Sequence, residues 1–207
     1  MTSAVFSPIV QAASSFIIDA LADNDTSHDI SHCFRVMHIA TAITKKMDPQ
    51  RILDLEIIQL AAMLHDVEDS NYRGTPESLR AVLTQFFNTY HYHPQKRDQV
   101  IDIINHVSYS NELKNGTPAE PSMELCIVQD ADRLDELGAV GIARAFTFGG
   151  RFNESLREVL ARIKKKLPHI SKLMKTDIGR QLTEERILFA NIFIVQMENQ
   201  LSSPLDI

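Results

Sequence analysis

Along almost the whole chain the apolar residues recur at intervals of three and four, and no stretch alternates apolar with polar as a half-buried strand would. A chain patterned this way has helices as its regular element, and its core must be built from their apolar faces. The spacing predicts helices over residues 6–21, 27–46, 51–65, 77–90, 95–110, 123–137, 138–148, 153–167 and 183–200. Ser27 is placed to cap the second, and Asp48-Pro49 ends it. Gly and Pro mark loops at 71–76 and 115–118, Gly149-Gly150 reads as a stop, and 202–207 as a frayed end. No repeat, low-complexity tract or linker divides the chain. The expectation is one all-α domain over 1–207, with a functional core at about 25–150 and the helices of 153–200 packed on it.

With 207 residues, the chain can bury a sizeable core. Apolar residues make up 44% and charged residues 23%, the balance of a globular protein. The net charge of -6 argues against binding to a nucleic acid duplex or an anionic membrane surface, since both require a basic face. A small anionic substrate, held by a few arginines, remains open. No apolar run approaches the ~18 residues of a membrane span. The start, Met1 to Asp23, lacks a basic leader and reads as an amphipathic helix, not a signal peptide. Cys33 and Cys126 form no CxxC pair and read as buried, reduced thiols of a cytoplasmic protein.

The informative residues are polar ones standing where a helix should be apolar. In the second helix Val36, Ile39 and Ile43 form a stripe, and one turn before Val36 lies His32. In the third, Leu55, Ile58 and Ala62 form the stripe, and His65 continues it, followed directly by Asp66. Leu125 and Val128 set a face that leads to Asp132. Taken singly, a histidine on an apolar face is more often a hydrogen-bonded core residue, and an aspartate more often a helix-end or ion-paired one. Pooled at one point, two imidazoles and two carboxylates would offset their burial by holding one divalent cation. Such mixed ligands suit Mn, Fe, Ni, Co or Zn better than Ca, and leave positions for a water and a phosphoryl oxygen.

The ordered set of His32, Leu64-His65-Asp66 and Ala131-Asp132-Arg133-Leu134 resembles the H…HD…D signature of the HD-domain phosphohydrolases. The likeness extends through Ser27-His28-Asp29, Arg35-Val36, the run Val128–Asp135, Gly138–Arg144, Gly149-Gly150, Met174-Lys175-Thr176 and Gly179-Arg180. In that order these residues resemble the bacterial HD-domain nucleotide pyrophosphohydrolases over nearly the whole chain. The resemblance implies a single HD-domain helical bundle. It also implies one divalent metal ion on His32, His65, Asp66 and Asp132, manganese first, with Mg, Co, Ni, Fe or Zn as alternatives. A nucleoside triphosphate cut to monophosphate and pyrophosphate is the implied reaction. His65-Asp66-Val67-Glu68-Asp69 also resembles the HDxxED segment of HD enzymes acting on guanosine alarmones. Here one residue separates the two pairs, which turns the acidic pair by about 100° on a helix, so that role does not carry over.

Glu68 and Asp69 are the candidate catalytic bases for the metal-bound water, with a solvated acidic turn as the alternative for Glu68. Arg35, Arg144, Arg133 and Arg151 are candidate phosphate contacts, and any one of them could instead be a paired surface residue. His28, one turn before His32, reads as a substrate contact. His106 reads as a core histidine, His91 and His93 as loop residues, and Lys164-Lys165-Lys166 as a solvated face. Phe189, Phe193 and Met197 read as core or as the surface of a homodimer. The competing functions are a nucleotide phosphomonoesterase or phosphodiesterase, and a helical module that senses a nucleotide without cutting it.

Overall fold

The computed structural model describes residues 6–21, 30–67 and 76–202, with the side chains of 76–79 left aside. Its described elements are α1 (Pro8–Ala20), α2 (Ile30–Lys46), α3 (Leu55–Leu64), α4 (Pro76–Thr89), α5 (Pro94–Val107), α6 (Tyr109–Asn115), α7 (Met123–Asp135), α8 (Gly138–Arg151), α9 (Leu156–Lys172) and α10 (Asp177–Ser202). There is no strand among the described residues, and the all-α expectation holds.

Two helices form the centre. In α3 every residue from Ile57 to Leu64 is buried, and in α7 every residue from Leu125 to Asp135. α2 packs against both, and α3 and α7 pack on each other. α1 covers α3, α5 lies across α3 and α7, and α8, α9 and α10 pack together with α8 and α10 against α7. Cys33 and Cys126 are buried and are not joined in a disulfide. No helix among the described residues is long and apolar enough to cross a membrane.

The helix ends follow local chemistry. α3 begins at Leu55, not at 51, because the Asp54 carboxylate accepts from the backbone N–H groups of Glu56 and Ile57. The single helix expected over 95–110 is two: Ser108 breaks it with extended backbone, and its hydroxyl caps α6. Gly116, at φ +78°, ends α6 where the loop was expected. Gly138, at φ +70°, takes the left-handed conformation that lets α8 start three residues after α7 ends.

Gly149-Gly150 does not stop α8, which runs to Arg151. A Cβ at Gly149 would lie 2.3 Å from Val159 Cγ2, so this glycine serves close packing of α8 on α9. α9 starts at Leu156, behind a capping box of Ser155 and Glu158, and continues through Pro168 to Lys172. α10 starts at Asp177, six residues before the expected 183. Its Phe193 and Met197 lie against the core, while Phe189 is 46% exposed.

Candidate metal centre

α7 carries polar residues on opposite sides, and these set up two separate networks. Residues three apart on a helix share a face and residues two apart do not. Asp132 and Asp135 point toward α2. Asp130 and Arg133 point toward the segment joining α9 and α10.

On the α2 side, His32 Nε2 lies 3.2 Å from His65 Nε2. Asp66 Oδ2 is 3.3 Å and Asp132 Oδ1 3.4 Å from His32 Nε2. His65 Nε2 is 3.4 Å from Asp66 Oδ1 and 3.5 Å from Asp132 Oδ1. His32, His65 and Asp66 each place one ligand atom within 4.8 Å of the others. Three stretches of chain supply the set: α2, the first residues after α3, and α7. All four side chains are largely withdrawn from solvent.

The hydrogen bonds behind the imidazoles fix their tautomers. His32 Nδ1 donates to Asp135 Oδ2 at 2.8 Å, and His65 Nδ1 donates to the Ala62 carbonyl at 2.9 Å. Both acceptors lack a proton to give, so Nδ1 carries the hydrogen in each ring and Nε2 is the lone-pair atom of the neutral form. Two facing lone pairs with two carboxylates need a positive charge between them. Metal–nitrogen and metal–oxygen bonds of about 2.1 Å would separate neighbouring ligand atoms by roughly 3.0–3.4 Å, close to the separations found here. The donor set therefore fits a divalent cation.

The electrostatics of the ion-free protein agree. Burial pushes the carboxyls of Asp66 and Asp132 up, but the facing imidazoles outweigh it and hold both well below the ordinary carboxylate range. Burial pushes His32 down, but hydrogen bonds with Asp132, Asp135 and Asp66 outweigh it, and its pKa stands well above that of an ordinary imidazole. His65 is raised too, against burial, by the charges of Asp66 and Asp132. Both rings therefore bind positive charge more readily than an ordinary imidazole does.

Asp135 was not singled out from the sequence. Its side chain is 2% exposed and accepts from Arg35 Nε at 2.8 Å, Arg35 Nη2 at 3.0 Å and Arg144 Nη1 at 3.0 Å, besides His32. Burial raises its carboxyl, but these donors hold it down at about 2. The signal was present, since Asp135 lies one turn after Asp132, but an acidic residue at a helix end also reads as solvated. Arg35 and Arg144 thus lie beside the centre, joined to Asp135.

Arg133 does not reach this side. It is fully buried, its guanidinium pairs with Glu112 and donates to the Leu173 carbonyl at 3.0 Å, and the phosphate contact expected of it is withdrawn. Arg151 stands at the far end of α8, 6.0 Å from the Phe152 ring centroid. His106 is half-exposed and donates to the Asp102 carbonyl on the surface, so it is not the core histidine expected. His28, Glu68 and Asp69 lie outside the described residues.

Asp130 and Arg133 belong to the second network. Asp130 accepts from Lys175 N at 2.8 Å, Thr176 N at 2.7 Å and Thr176 Oγ1 at 2.7 Å. A Cβ on Gly179 would lie 2.3 Å from Asp130 Oδ2. The Met174-Lys175-Thr176 and Gly179 segment is thus the seat by which α10 closes on α7.

Comparison with known proteins agrees with this architecture. The HD domain family matches residues 29–137. The YpgQ protein of Bacillus subtilis is 35% identical over 189 residues, covering 87% of this chain and 88% of its own. Its crystal structure in complex with ADP superposes with a TM-score of 0.72 at 30% identity, covering 94% of this chain and 98% of that one. A Lactobacillus plantarum protein superposes with a TM-score of 0.82 at 25% identity, covering 97% of this chain and all of that one. An HD-superfamily hydrolase from Bacillus thuringiensis gives a TM-score of 0.70 at 28% identity, covering 94% and 97%. With over half the chain matched and a relative alike along nearly its whole length, the chain belongs to the HD domain family.

Proposed function

We propose that this chain is a divalent-metal-dependent phosphohydrolase that cleaves nucleoside triphosphates to the monophosphate and pyrophosphate. The observation that carries the metal-dependent reading is the pair of Nε2 atoms 3.2 Å apart, each in a ring whose Nδ1 is committed to an acceptor. The nucleotide is supported by the likeness to YpgQ, solved in complex with ADP, and hydrolysis by the likeness to the Bacillus thuringiensis hydrolase.

In this reading His32 and His65 offer Nε2, and Asp66 and Asp132 offer carboxylate oxygens, to one divalent ion, manganese first. Such an ion supplies Lewis-acid polarisation of a phosphoryl oxygen and a water of lowered pKa. Arg35 and Arg144 set positive charge beside the site, where it offsets charge gathering on the transferring phosphoryl group. Asp69 or Glu68 takes the proton of the attacking water. The water oxygen bonds to the α-phosphorus, the bond to the bridging oxygen breaks, and pyrophosphate leaves with the electron pair.

A panel of nucleoside triphosphates with Mn, Mg, Co and Ni, its products resolved by phosphorus NMR, tests this. Equal amounts of monophosphate and pyrophosphate are expected. Inorganic phosphate together with the nucleoside diphosphate, and no pyrophosphate, would assign a phosphatase acting on the terminal phosphate, and no turnover with metal bound would assign a sensing module.

A further inference from the structure

Arg186 of α10 sits on the last turn of α7. Its Nη1 donates to the Leu134 carbonyl, one residue before Asp135. Its stem lies over Gly138, where a Cβ would stand 3.4 Å from Arg186 Cγ and 3.5 Å from Arg186 Cβ. The same turn carries Asp132 to the metal centre and Asp135 to Arg35 and Arg144. α2, α8 and α10 therefore each bring an arginine to one end of α7.

Arg186 differs from the other two in what it bonds. Arg35 and Arg144 donate to the Asp135 carboxylate, and the buried Arg133 donates to Glu112. Arg186 donates to a neutral carbonyl, and among the described residues no carboxylate stands at ion-pair distance from it. One carbonyl cannot take all the N–H groups of a guanidinium. The side chain is half-buried. Burial pulls its pKa down, and the charges of Asp135 and Glu185 do not make up the difference. A cation at a helix C-terminus favours the dipole, and that accounts for the bond to Leu134. It does not account for half-burying a charge without an ion partner on a turn that already holds two arginines.

We infer that Arg186 is a substrate contact: its guanidinium takes phosphate oxygens of the part of the nucleotide that leaves as pyrophosphate. The inference deepens the nucleotide reading above and rests on it. In that reading the α-phosphorus lies at the metal ligands, so the remaining phosphates extend to one side of them. The end of α7 is the side where the arginines gather. A guanidinium fork matches two phosphate oxygens, and it offsets the charge that the leaving group gains with the electron pair.

Arg186→Gln tests this, because glutamine keeps an N–H donor for the Leu134 carbonyl and removes the charge. In folded variant, calorimetric titration is expected to give Mn affinity within about threefold of the wild type, while pyrophosphate at saturating Mn binds at least about tenfold more weakly. Wild-type pyrophosphate affinity in this variant would overturn the inference and leave Arg186 a cap on α7. A matching loss of Mn affinity would overturn it too, since the side chain would then act by holding α7 in place.

Should the variant fail to fold, crystals of the wild type grown with Mn and pyrophosphate decide. A phosphate oxygen within about 3.2 Å of an Arg186 nitrogen supports the contact, and pyrophosphate seated away from Arg186 overturns it. A wild type that binds Mn but no pyrophosphate would overturn this inference and leave the metal centre standing. One that binds no divalent ion would overturn the metal-dependent reading itself.

Discussion

Asp130 and Asp132 leave α7 on opposite sides: Asp132 Oδ1 stands 3.4 Å from His32 Nε2, while Asp130 accepts the backbone N–H of Lys175 at 2.8 Å. One helix thus carries a chemical site on one flank and a structural anchor on the other. Substitutions only two residues apart should separate function from stability.

Asp132→Ala should abolish tight divalent-metal binding, lowering affinity by more than about 100-fold, and hydrolysis with it. The helical circular dichroism should persist, because the imidazoles lose a counter-charge and α7 keeps its apolar packing. Metal titration beside circular dichroism checks both halves.

Gly179→Ala should act in the opposite way. Its Cβ would press on Asp130 Oδ2 and push α10 off its seat. The expected loss is roughly 1–3 kcal/mol, a fall in Tm of about 3–10 °C, with metal affinity little changed in the folded protein. Thermal unfolding and metal titration read the two effects.

Much of the centre was legible in the sequence, and the reason is physical. His32, His65 and Asp132 each stand where the helical period demands an apolar residue, so each is anomalous on spacing alone. Asp135 and Arg133 were not legible. Asp135 ends the helix, where an acidic residue ordinarily reads as solvated, and Arg133 lies off the stripe that leads to Asp132, where a polar residue ordinarily marks a solvent face; in α7 both are buried. Arg133 therefore read as a phosphate contact and proved to be the buried partner of Glu112. Gly149-Gly150 misled in a related way, because a glycine that permits close helix packing looks the same in sequence as one that ends a helix. The break at Ser108 was hidden because apolar spacing continues through it.

Glu112→Gln should be among the most destabilising single changes away from the metal centre. Glu112 is buried with Arg133 and Lys175, and removing its charge leaves the Arg133 guanidinium uncompensated, at a cost of about 3–5 kcal/mol. The same pair makes a pH prediction. Burial pushes the Glu112 carboxyl up, but hydrogen bonds from Lys175 and Thr117 and the charges of Arg133 and Lys175 hold it below its ordinary value. A depressed carboxylate contributes its full stability above the unfolded pKa of about 4.3 and loses it as pH falls through the folded value. Acid unfolding of the wild type should therefore steepen below about pH 4, and the variant should lose that part of the slope.

Metal affinity should itself fall with pH. Without metal, His32 and His65 hold protons to a higher pH than an ordinary imidazole, and a cation must displace them. Where both are protonated, apparent affinity should drop by up to about 100-fold per pH unit. Titrations between pH 6 and 8 check this. At a hundredfold excess over Kd, metal should stabilise the fold by about 2.7 kcal/mol, and chelator should remove that gain.

The most direct measurement is anomalous diffraction from crystals grown with Mn. A single strong peak is expected, bonded at about 2.0–2.3 Å to Nε2 of His32 and of His65 and to a carboxylate oxygen of each of Asp66 and Asp132. A peak held by other residues, or none while these four side chains stay paired only with one another, would contradict the metal centre.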